Sequence, residues 1–172
     1  TQAIRYGETI TLDGAKVSFH PAGHVLGSAQ IAVECKNFRV VASGDYKNVP
    51  DPTCAPFDLV PCEVFITEAT FGLPVFRHLA PEHEIVKLLR SMSLFPERAH
   101  LVGAYGLGKA QRLIALLRAA SYAEPIYLHG AMETITRYYE SRGIDLGPLE
   151  LVRGTDKAKL GGKIVICPPS SL

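Results

Sequence analysis

FHPAGHVLGSAQI, residues 19–31, places two histidines four positions apart and sets a glycine on either side of the second, His24. On a helix this spacing would put both imidazoles on one face, as in metal-binding helices. Pro21 and the glycines Gly23 and Gly27 disfavour a helix, because proline lacks an amide donor and glycine loses the most backbone entropy on ordering. The stretch therefore predicts a glycine-rich turn between two strands, with His24 presented on the turn.

The residues around this turn predict an antiparallel β layer that extends to about residue 62. Apolar residues alternate with others at Ile31, Val33 and Cys35, which is typical of a strand with one buried face. The predicted strands are 9–12, 17–20, 30–35 and 38–43, with DGAK as a hairpin turn after the first strand and KN as a turn after the third. The proline-rich stretch 47–61 predicts a loop, and 64–67 predicts a further strand that links this layer to the second half of the chain.

The second half of the chain alternates between strand-like and helix-like segments. Predicted strands are 100–102, 126–128 and 164–166, and predicted helices are 81–92, 107–120 and 131–142. Alternation of this kind predicts an α/β fold with a parallel, doubly wound sheet. On the second of these helices, Arg112 and Arg118 are expected on the solvated face.

The composition is that of a globular protein without a strongly basic field. The chain has 172 residues, of which 47% are hydrophobic and 20% charged, and its formal net charge is +1. Net charge alone would therefore not attract nucleic acid, although a local basic patch is compatible with this total. No apolar run approaches the roughly 20 residues of a membrane span, and the four cysteines show no CxxC pairing. We therefore expect a cytoplasmic protein with reduced thiols and no membrane partner.

Two candidate metal ligands lie where predicted strands end. His24 follows one strand, and Asp45, in VVASGDY, follows another apolar strand and a glycine. An imidazole nitrogen and a carboxylate oxygen on rigid supports suit zinc or manganese, and the glycines beside His24 would let the backbone approach a metal or a phosphate closely. Two ligands alone do not make a site, however. A local hydrogen bond for His24 and a loop-capping role for Asp45 are the alternative.

A third feature, GAYGLGKA from Gly103 to Ala110, fits the phosphate-loop template GxxxxGK between a strand and a helix. Its last position is Ala110, so the Ser or Thr hydroxyl that would hold magnesium is missing. A nucleotide-binding site is therefore one alternative. The other is a glycine-rich turn in which the amide of Gly108 and the side chain of Lys109 face an anion such as a nucleic-acid backbone.

Three motifs in order, HPAGHVLGSAQI, VVASGDY and VFITEATFG, resemble the central part of the metallo-β-lactamase-fold nucleases of the β-CASP group. That group includes the nuclease subunit of the cleavage and polyadenylation machinery, bacterial ribonuclease J and Artemis. The nearest likeness is to the bacterial branch of ligase-associated DNA exonucleases and mRNA 3′-end processing factors. The stretch VGAYGLGKAQRLIALL is similar to the ALGRAQELL segment of the family's β-CASP insert.

The resemblance implies roles for three residues. His24 matches the metal-ligand histidine of the family's third motif, and Asp45 matches the aspartate of the fourth motif, which bridges two metal ions, zinc or manganese. Glu68 matches the acidic residue that opens the β-CASP insert and hydrogen-bonds a later histidine near the scissile phosphate. Asp45 and Glu68 are thus the implied catalytic residues. A carboxylate that bridges two cations suits in-line attack on a phosphodiester.

The resemblance also implies the domain organisation and the function. Residues 1–68 would be part of a metallo-β-lactamase αββα domain, and residues 69–172 a Rossmann-like β-CASP α/β domain. The expected activity is metal-dependent hydrolysis of DNA or RNA, in DNA repair or mRNA 3′-end processing, with a DNA ligase or a processing complex as possible partner. A catalytically silent nucleic-acid-binding domain of the same fold is a further alternative to the nucleotide-binding one.

The family pattern extends beyond this chain at both ends. The main metal motif of the family, HxHxDH, is expected upstream of residue 1, and the late histidines that complete the metal site are expected beyond Leu172. The chain then holds at most two of the metal ligands. We expect it to bind metal weakly or not at all, and to be inactive by itself.

Overall fold

The computed structural model describes residues 3–77 and 79–172 and has two compact units, Thr1–Phe76 and Arg77–Leu172. Each unit contains its own sheet, one mixed and one parallel. The α/β class predicted from the sequence is therefore confirmed. The assignment of residues 1–68 to a metallo-β-lactamase domain and of 69–172 to a β-CASP domain stays a prediction.

The first unit is a five-stranded sheet whose strands follow one another in chain order. The strands are β1 Thr9–Leu12, β2 Ala15–Pro21, β3 Ala29–Cys35, β4 Phe38–Ala42 and β5 Val64–Ile66. Neighbours pair antiparallel, except that β5 runs parallel to β4. The strand that was predicted to link the two halves of the chain is thus the edge of the first sheet.

Two tight hairpins set the register of this sheet. Asp13 and Gly14 connect β1 to β2 with φ of 47° and 84°, and Lys36 and Asn37 connect β3 to β4 with φ of 49° and 64°. Two-residue loops with positive φ at both positions match the twist of the strands that they join. The hairpins predicted from the DGAK and KN sequences are confirmed.

The loop after β4 is attached to the sheet by buried polar groups. Gln30, 1% exposed, donates from Nε2 to the carbonyl oxygens of Pro21 (3.0 Å) and Asp58 (2.7 Å). Asp51 forms an ion pair with Lys47 and accepts the amide and hydroxyl hydrogens of Thr53 at 2.9 and 2.6 Å. Burial raises the pKa of Asp51, but its bonds to Lys47 and Thr53 outweigh burial and lower it overall.

The second unit is a parallel four-stranded sheet with three α-helices. The strands are β6 His100–Gly103, β7 Ile126–Leu128, β8 Leu149–Leu151 and β9 Ile164–Cys167, and the α-helices are α1 Pro81–Leu94, α2 Lys109–Ala119 and α3 Gly130–Ser141. The strand order is β6-β9-β7-β8. The predicted alternation is confirmed, while β8 was not predicted. In the part of the chain that the structure describes, no helix combines the length and apolar character needed to cross a bilayer.

Helix α2 packs its predicted apolar side into the second unit. Ala110, Ile114 and Leu117 are fully buried, as their spacing indicates, whereas Leu113 is only half-buried. The central strand β9 is buried at every position. A strand that lies between two neighbours and is covered on both faces reads as a continuous apolar run, as β9 does.

The prediction that Arg118 lies on the solvated face is wrong. Its guanidinium donates to four backbone carbonyl oxygens at 2.6–2.9 Å, which belong to Tyr122, Glu124, Leu146 and Pro148. Burial lowers the pKa of Arg118. Since a guanidinium carries five N–H donors in a planar fork, one side chain can join backbone carbonyls of several chain segments. Arg118 therefore ties the end of α2 to the loop before β8.

Candidate functional site

His24 lies on a turn that a serine hydroxyl closes. Ser28 Oγ accepts the backbone amides of His24 and Val25, each at 3.1 Å, and the Ser28 amide donates to the Val25 carbonyl at 3.0 Å. The turn follows the last residue of β2, Pro21, so no helix forms here, as the sequence predicts. These bonds fix the backbone from which the His24 imidazole projects.

Glycine is required at position 23 for a reason that differs from the one predicted from the sequence. Its φ is 70°, and a Cβ at this position would lie 2.3 Å from the Lys47 carbonyl oxygen and 2.9 Å from the Phe57 amide nitrogen. The backbone of the following loop thus fills the space beside Gly23. The close approach predicted for a metal or phosphate is made by the protein itself. Gly27, at φ 83°, has open space around it and serves the turn conformation alone.

Asp45 follows β4 on a second turn. Gly44 adopts φ 56°, which reverses the chain just before Asp45. Ser43, 1% exposed, donates from Oγ to the Gly44 carbonyl oxygen at 2.7 Å. A hydroxyl that bonds the carbonyl of the next residue orients the peptide group between Gly44 and Asp45, so the starting direction of the Asp45 side chain is set locally.

The side chains of His24 and Asp45 converge. His24 Nε2 lies 3.8 Å from Asp45 Oδ2, and the two side chains are 41% and 77% exposed. This separation exceeds a hydrogen bond. Two donors bound at about 2.0–2.2 Å to one tetrahedral ion lie roughly 3.3–3.6 Å apart, so the pair fits two positions on a common ion after a small movement. An exposed imidazole and carboxylate are also the donor types that zinc and manganese accept.

Glu68 comes two residues after β5 and faces the same turn. Its Oε2 accepts the Thr70 amide at 2.7 Å. Its pKa is lowered, first by hydrogen bonds from Thr70 and to a smaller extent by the charge of His24. Glu68 is therefore held as a carboxylate mainly by its own turn.

The three residues do not form a complete metal centre. Within residues 3–77 and 79–172, no three His, Cys, Asp or Glu side chains are grouped closely enough to hold a metal ion. The first histidine of the opening motif does not join His24. His20 instead bonds Asp58 Oδ2 through Nδ1 and Ser18 Oγ through Nε2, each at 3.0 Å. The roles of His24, Asp45 and Glu68 in metal binding and catalysis stay predictions.

The glycine-rich loop before α2 uses its amides internally. The amide of Gly108 donates to Gln111 Oε1 at 2.8 Å, that of Lys109 to the Leu107 carbonyl at 3.0 Å, and that of Ala110 to the Tyr105 carbonyl at 3.1 Å. These three N–H groups are therefore not presented to a phosphate, contrary to the template. The Lys109 ammonium lies 4.8 Å from the centre of the Tyr105 ring. The predicted phosphate contact now depends on this side chain alone.

Sequence reasoning missed the two serines that shape the site. Ser28 holds the His24 turn, and Ser43 lies between the turns of Asp45 and Glu68, since its Oγ also accepts the Glu68 amide at 3.3 Å. Both serines lie within the quoted motifs, but the sequence does not show which group a serine hydroxyl will bond. The Ser43–Glu68 bond spans 25 residues.

The chain is similar to known proteins over most of its length. It is 33% identical over 173 residues to a probable DNA ligase of Opitutus terrae, which covers 98% of this chain and 16% of that protein. It is 30% identical over 137 residues to endoribonuclease ysh-1 of Neurospora crassa, with 73% of this chain and 16% of that protein covered. For endoribonuclease YSH1 of Saccharomyces cerevisiae the identity is 30% over 119 residues, which is 67% of this chain and 15% of that protein.

These relatives agree with the family that the motifs indicate. The chain spans about 16% of the length of each relative, so it corresponds to one part of a larger protein in every case. No protein-family model matches it. Two of the three relatives are nucleases by name, and the third is named as a probable DNA ligase. The chain therefore corresponds to a segment of each of these relatives, consistent with a fragment of the β-CASP nuclease family that the motifs indicate.

Proposed function

We propose that this chain is part of a metal-dependent nuclease that hydrolyses phosphodiester bonds of DNA or RNA. The observation that carries the proposal is the approach of His24 Nε2 to Asp45 Oδ2 at 3.8 Å, on turns at the ends of β2 and β4. Both side chains are accessible, so a substrate can reach them. Relatives named as endoribonucleases and as a DNA ligase support a nucleic-acid substrate.

The donor set suits zinc or manganese, with two ions expected in the complete protein. His24 would supply a nitrogen and Asp45 a carboxylate oxygen, and a bound ion would act as a Lewis acid on the phosphodiester. Further ligands would come from other parts of the complete protein. The 172-residue chain would then bind metal weakly or not at all by itself.

Glu68 has a different part in this proposal. Its carboxylate is occupied by the Thr70 amide, and its lowered pKa keeps it ionised at neutral pH. It would orient a neighbouring group by accepting a hydrogen bond, while His24 and Asp45 hold the metal. Its negative charge also favours a cation near His24 and Asp45.

Lys109 is the proposed contact to the nucleic-acid backbone in the second unit. Its ammonium is exposed and lies over the Tyr105 ring, so it is available at the carboxyl end of β6. A cation of this kind would contribute one phosphate contact and with it a part of the salt dependence of binding. The internally bonded amides of the loop give no support to the nucleotide-binding alternative.

The test is cleavage by the complete gene product. Labelled single-stranded DNA and RNA are incubated with the protein and Mn²⁺ or Zn²⁺, and the products are resolved by length. His24→Ala and Asp45→Ala should each reduce cleavage to background, because each removes a metal ligand, while the thermal unfolding midpoint stays close to that of the wild type. EDTA should have the same effect on the unmodified protein.

His83→Ala is the matched control, because His83 is an exposed histidine on α1 in the second unit. This variant should cleave at the wild-type rate. If His24→Ala and Asp45→Ala cleave as the wild type does, or if EDTA leaves cleavage unchanged, the nuclease proposal for these residues is wrong. Comparison of the two polymers in the same assay then identifies the preferred substrate.

A further inference from the structure

Ser43 lies within the VVASGDY motif, but the motif alone assigns it no role. It is the first residue after β4 and is 1% exposed. Its amide donates to the carbonyl oxygen of Ile66, in the neighbouring strand β5, at 2.9 Å. The backbone of Ser43 thus continues the parallel pairing of β4 and β5 for one residue beyond the strand itself.

The Ser43 hydroxyl makes two further hydrogen bonds, one to each of the two turns. It donates to the Gly44 carbonyl oxygen at 2.7 Å and accepts the Glu68 amide at 3.3 Å. One bond orients the peptide that leads into Asp45. The other fixes the backbone of Glu68. A hydroxyl can donate once and accept twice, so both bonds are possible at the same time.

We propose that Ser43 is a positioning residue, whose buried hydroxyl couples the turn that carries Asp45 to the turn that carries Glu68. The proposal rests on the proposed nuclease function for its catalytic consequence, but the coupling itself is a property of this chain. Asp45 and Glu68 come from different strands, and their side chains lie outside the sheet. Backbone pairing of Ser43 with Ile66 also joins the two segments, but the Ser43 hydroxyl is the group that bonds both the Gly44 carbonyl before Asp45 and the Glu68 amide.

The Ser43 hydroxyl belongs to a buried residue, whereas Gly44 is exposed and Glu68 is half-buried. A carbonyl or an amide on these two residues can therefore bond water when the hydroxyl is removed. In Ser43→Ala, the Gly44 carbonyl and the Glu68 amide both lose their partner. The two turns would relax to satisfy these groups, and the Asp45 and Glu68 carboxylates would move with them. Displacements of about 1 Å near reacting groups can cost 10²-fold in rate.

The first test uses the 172-residue chain and needs no nuclease activity. Amide hydrogen exchange at Glu68 is measured by NMR in the wild type, in Ser43→Ala and in Ser43→Thr, which keeps the hydroxyl. Exchange at Glu68 should rise about tenfold in Ser43→Ala and stay close to wild type in Ser43→Thr. In the same samples, Mn²⁺ alone is titrated, and paramagnetic broadening near His24 and Asp45 should need a higher Mn²⁺ concentration in Ser43→Ala.

Thr53→Val is the matched control. Thr53 is also 1% exposed, in the same unit, and its hydroxyl donates to Asp51. Removing this hydroxyl should lower the stability of the unit to a similar extent without changing Glu68 exchange or the response to Mn²⁺. If Ser43→Ala leaves Glu68 exchange unchanged, the coupling is absent and the proposal is wrong. If Ser43→Ala and Thr53→Val change the Mn²⁺ response equally, Ser43 is structural only and the proposal is also wrong.

The second test uses the complete gene product and separates the two proposals. Ser43→Ala should lower kcat at least tenfold with KM nearly unchanged, and Ser43→Thr should restore most of it, whereas Thr53→Val should leave both constants near those of the wild type. If the wild type cleaves and Ser43→Ala cleaves equally well, the positioning role is wrong. If the wild type does not cleave at all, the nuclease proposal is wrong, and the exchange and Mn²⁺ data still decide whether Ser43 couples the two turns.

Discussion

The two units of the chain bury different kinds of side chain. Among the described residues, the buried apolar side chains of the first unit are Ala22, Ala32 and Val41, and its buried polar side chains are Gln30, Ser43, Asp51 and Thr53. The second unit buries a large apolar set that includes Ile114, Leu117, Ile126, Met132, Tyr139, Leu146, Ile164 and Ile166. The second unit is therefore stabilised by an apolar core, and the first by hydrogen bonds between a sheet and its covering loop.

The first unit also leaves an apolar sheet face open. Pairing of β3, β4 and β5 places Ile31 in a row with Ala42 and Ile66, and the exposed fractions of Ile31 and Ile66 are 40% and 58%. Residues paired across strands share one face of a sheet, and an apolar face of this kind is normally covered by another layer. The αββα layers that the family resemblance implies would supply such a layer from outside this chain.

The largest expected effect follows from separating the units. Residues 77–172 alone should unfold in a single cooperative urea transition followed by circular dichroism, because their apolar core is complete in itself. Residues 1–76 alone should bind the dye ANS strongly, because the apolar face of their sheet is uncovered. A cooperative, ANS-negative transition in residues 1–76 would contradict the contrast between the two units.

A smaller effect is expected at Arg118, whose hydrogen bonds are a polar contribution to the otherwise apolar packing of the second unit. Arg118→Ala removes the donors of four backbone carbonyls and should lower the free energy of unfolding by about 2–4 kcal/mol, measured by urea titration. Arg118→Lys should recover part of the loss, since an ammonium reaches fewer of these oxygens. Arg153→Ala, at an exposed arginine of the same unit, is the control and should change stability by less than about 0.5 kcal/mol. Equal effects at both arginines would show that the four bonds add no stability.

The smallest effect is the difference in stability loss between two glycines of the His24 turn, about 1–3 kcal/mol, because the backbone strain that they share cancels. Gly23→Ala should destabilise the first unit by about 2–5 kcal/mol, because alanine is strained at positive φ and its Cβ would clash with the backbone of Lys47 and Phe57. Gly27→Ala shares the strain but meets open space, so about 1–2 kcal/mol is expected. Thermal unfolding of the two variants measures the difference. A larger loss at Gly27 would mean that backbone strain, and not the close approach, determines the requirement for glycine.

The sequence by itself determined the local structure of this protein. Two-residue hairpin loops appear as DG and KN, a period of two marks the strands, and a helical period marks α1, α2 and α3, because each signal depends on residues a few positions apart. The strand β8, Leu149–Leu151, is too short for its alternation to stand out and was missed. The sequence also indicated His24, Asp45 and Glu68 as candidate site residues, because the motifs around them are short and continuous.

Only the tertiary structure decided how these local pieces are joined. The partners of Arg118 lie up to 30 residues away, the Lys47 and Phe57 backbone beside Gly23 belongs to another loop, and Ser43 reaches Glu68 across 25 residues. The residue type alone does not show whether an arginine, a glycine or a serine faces solvent or a backbone carbonyl. Its role follows from which groups the fold leaves without a hydrogen-bond partner, and that depends on the path of the whole backbone.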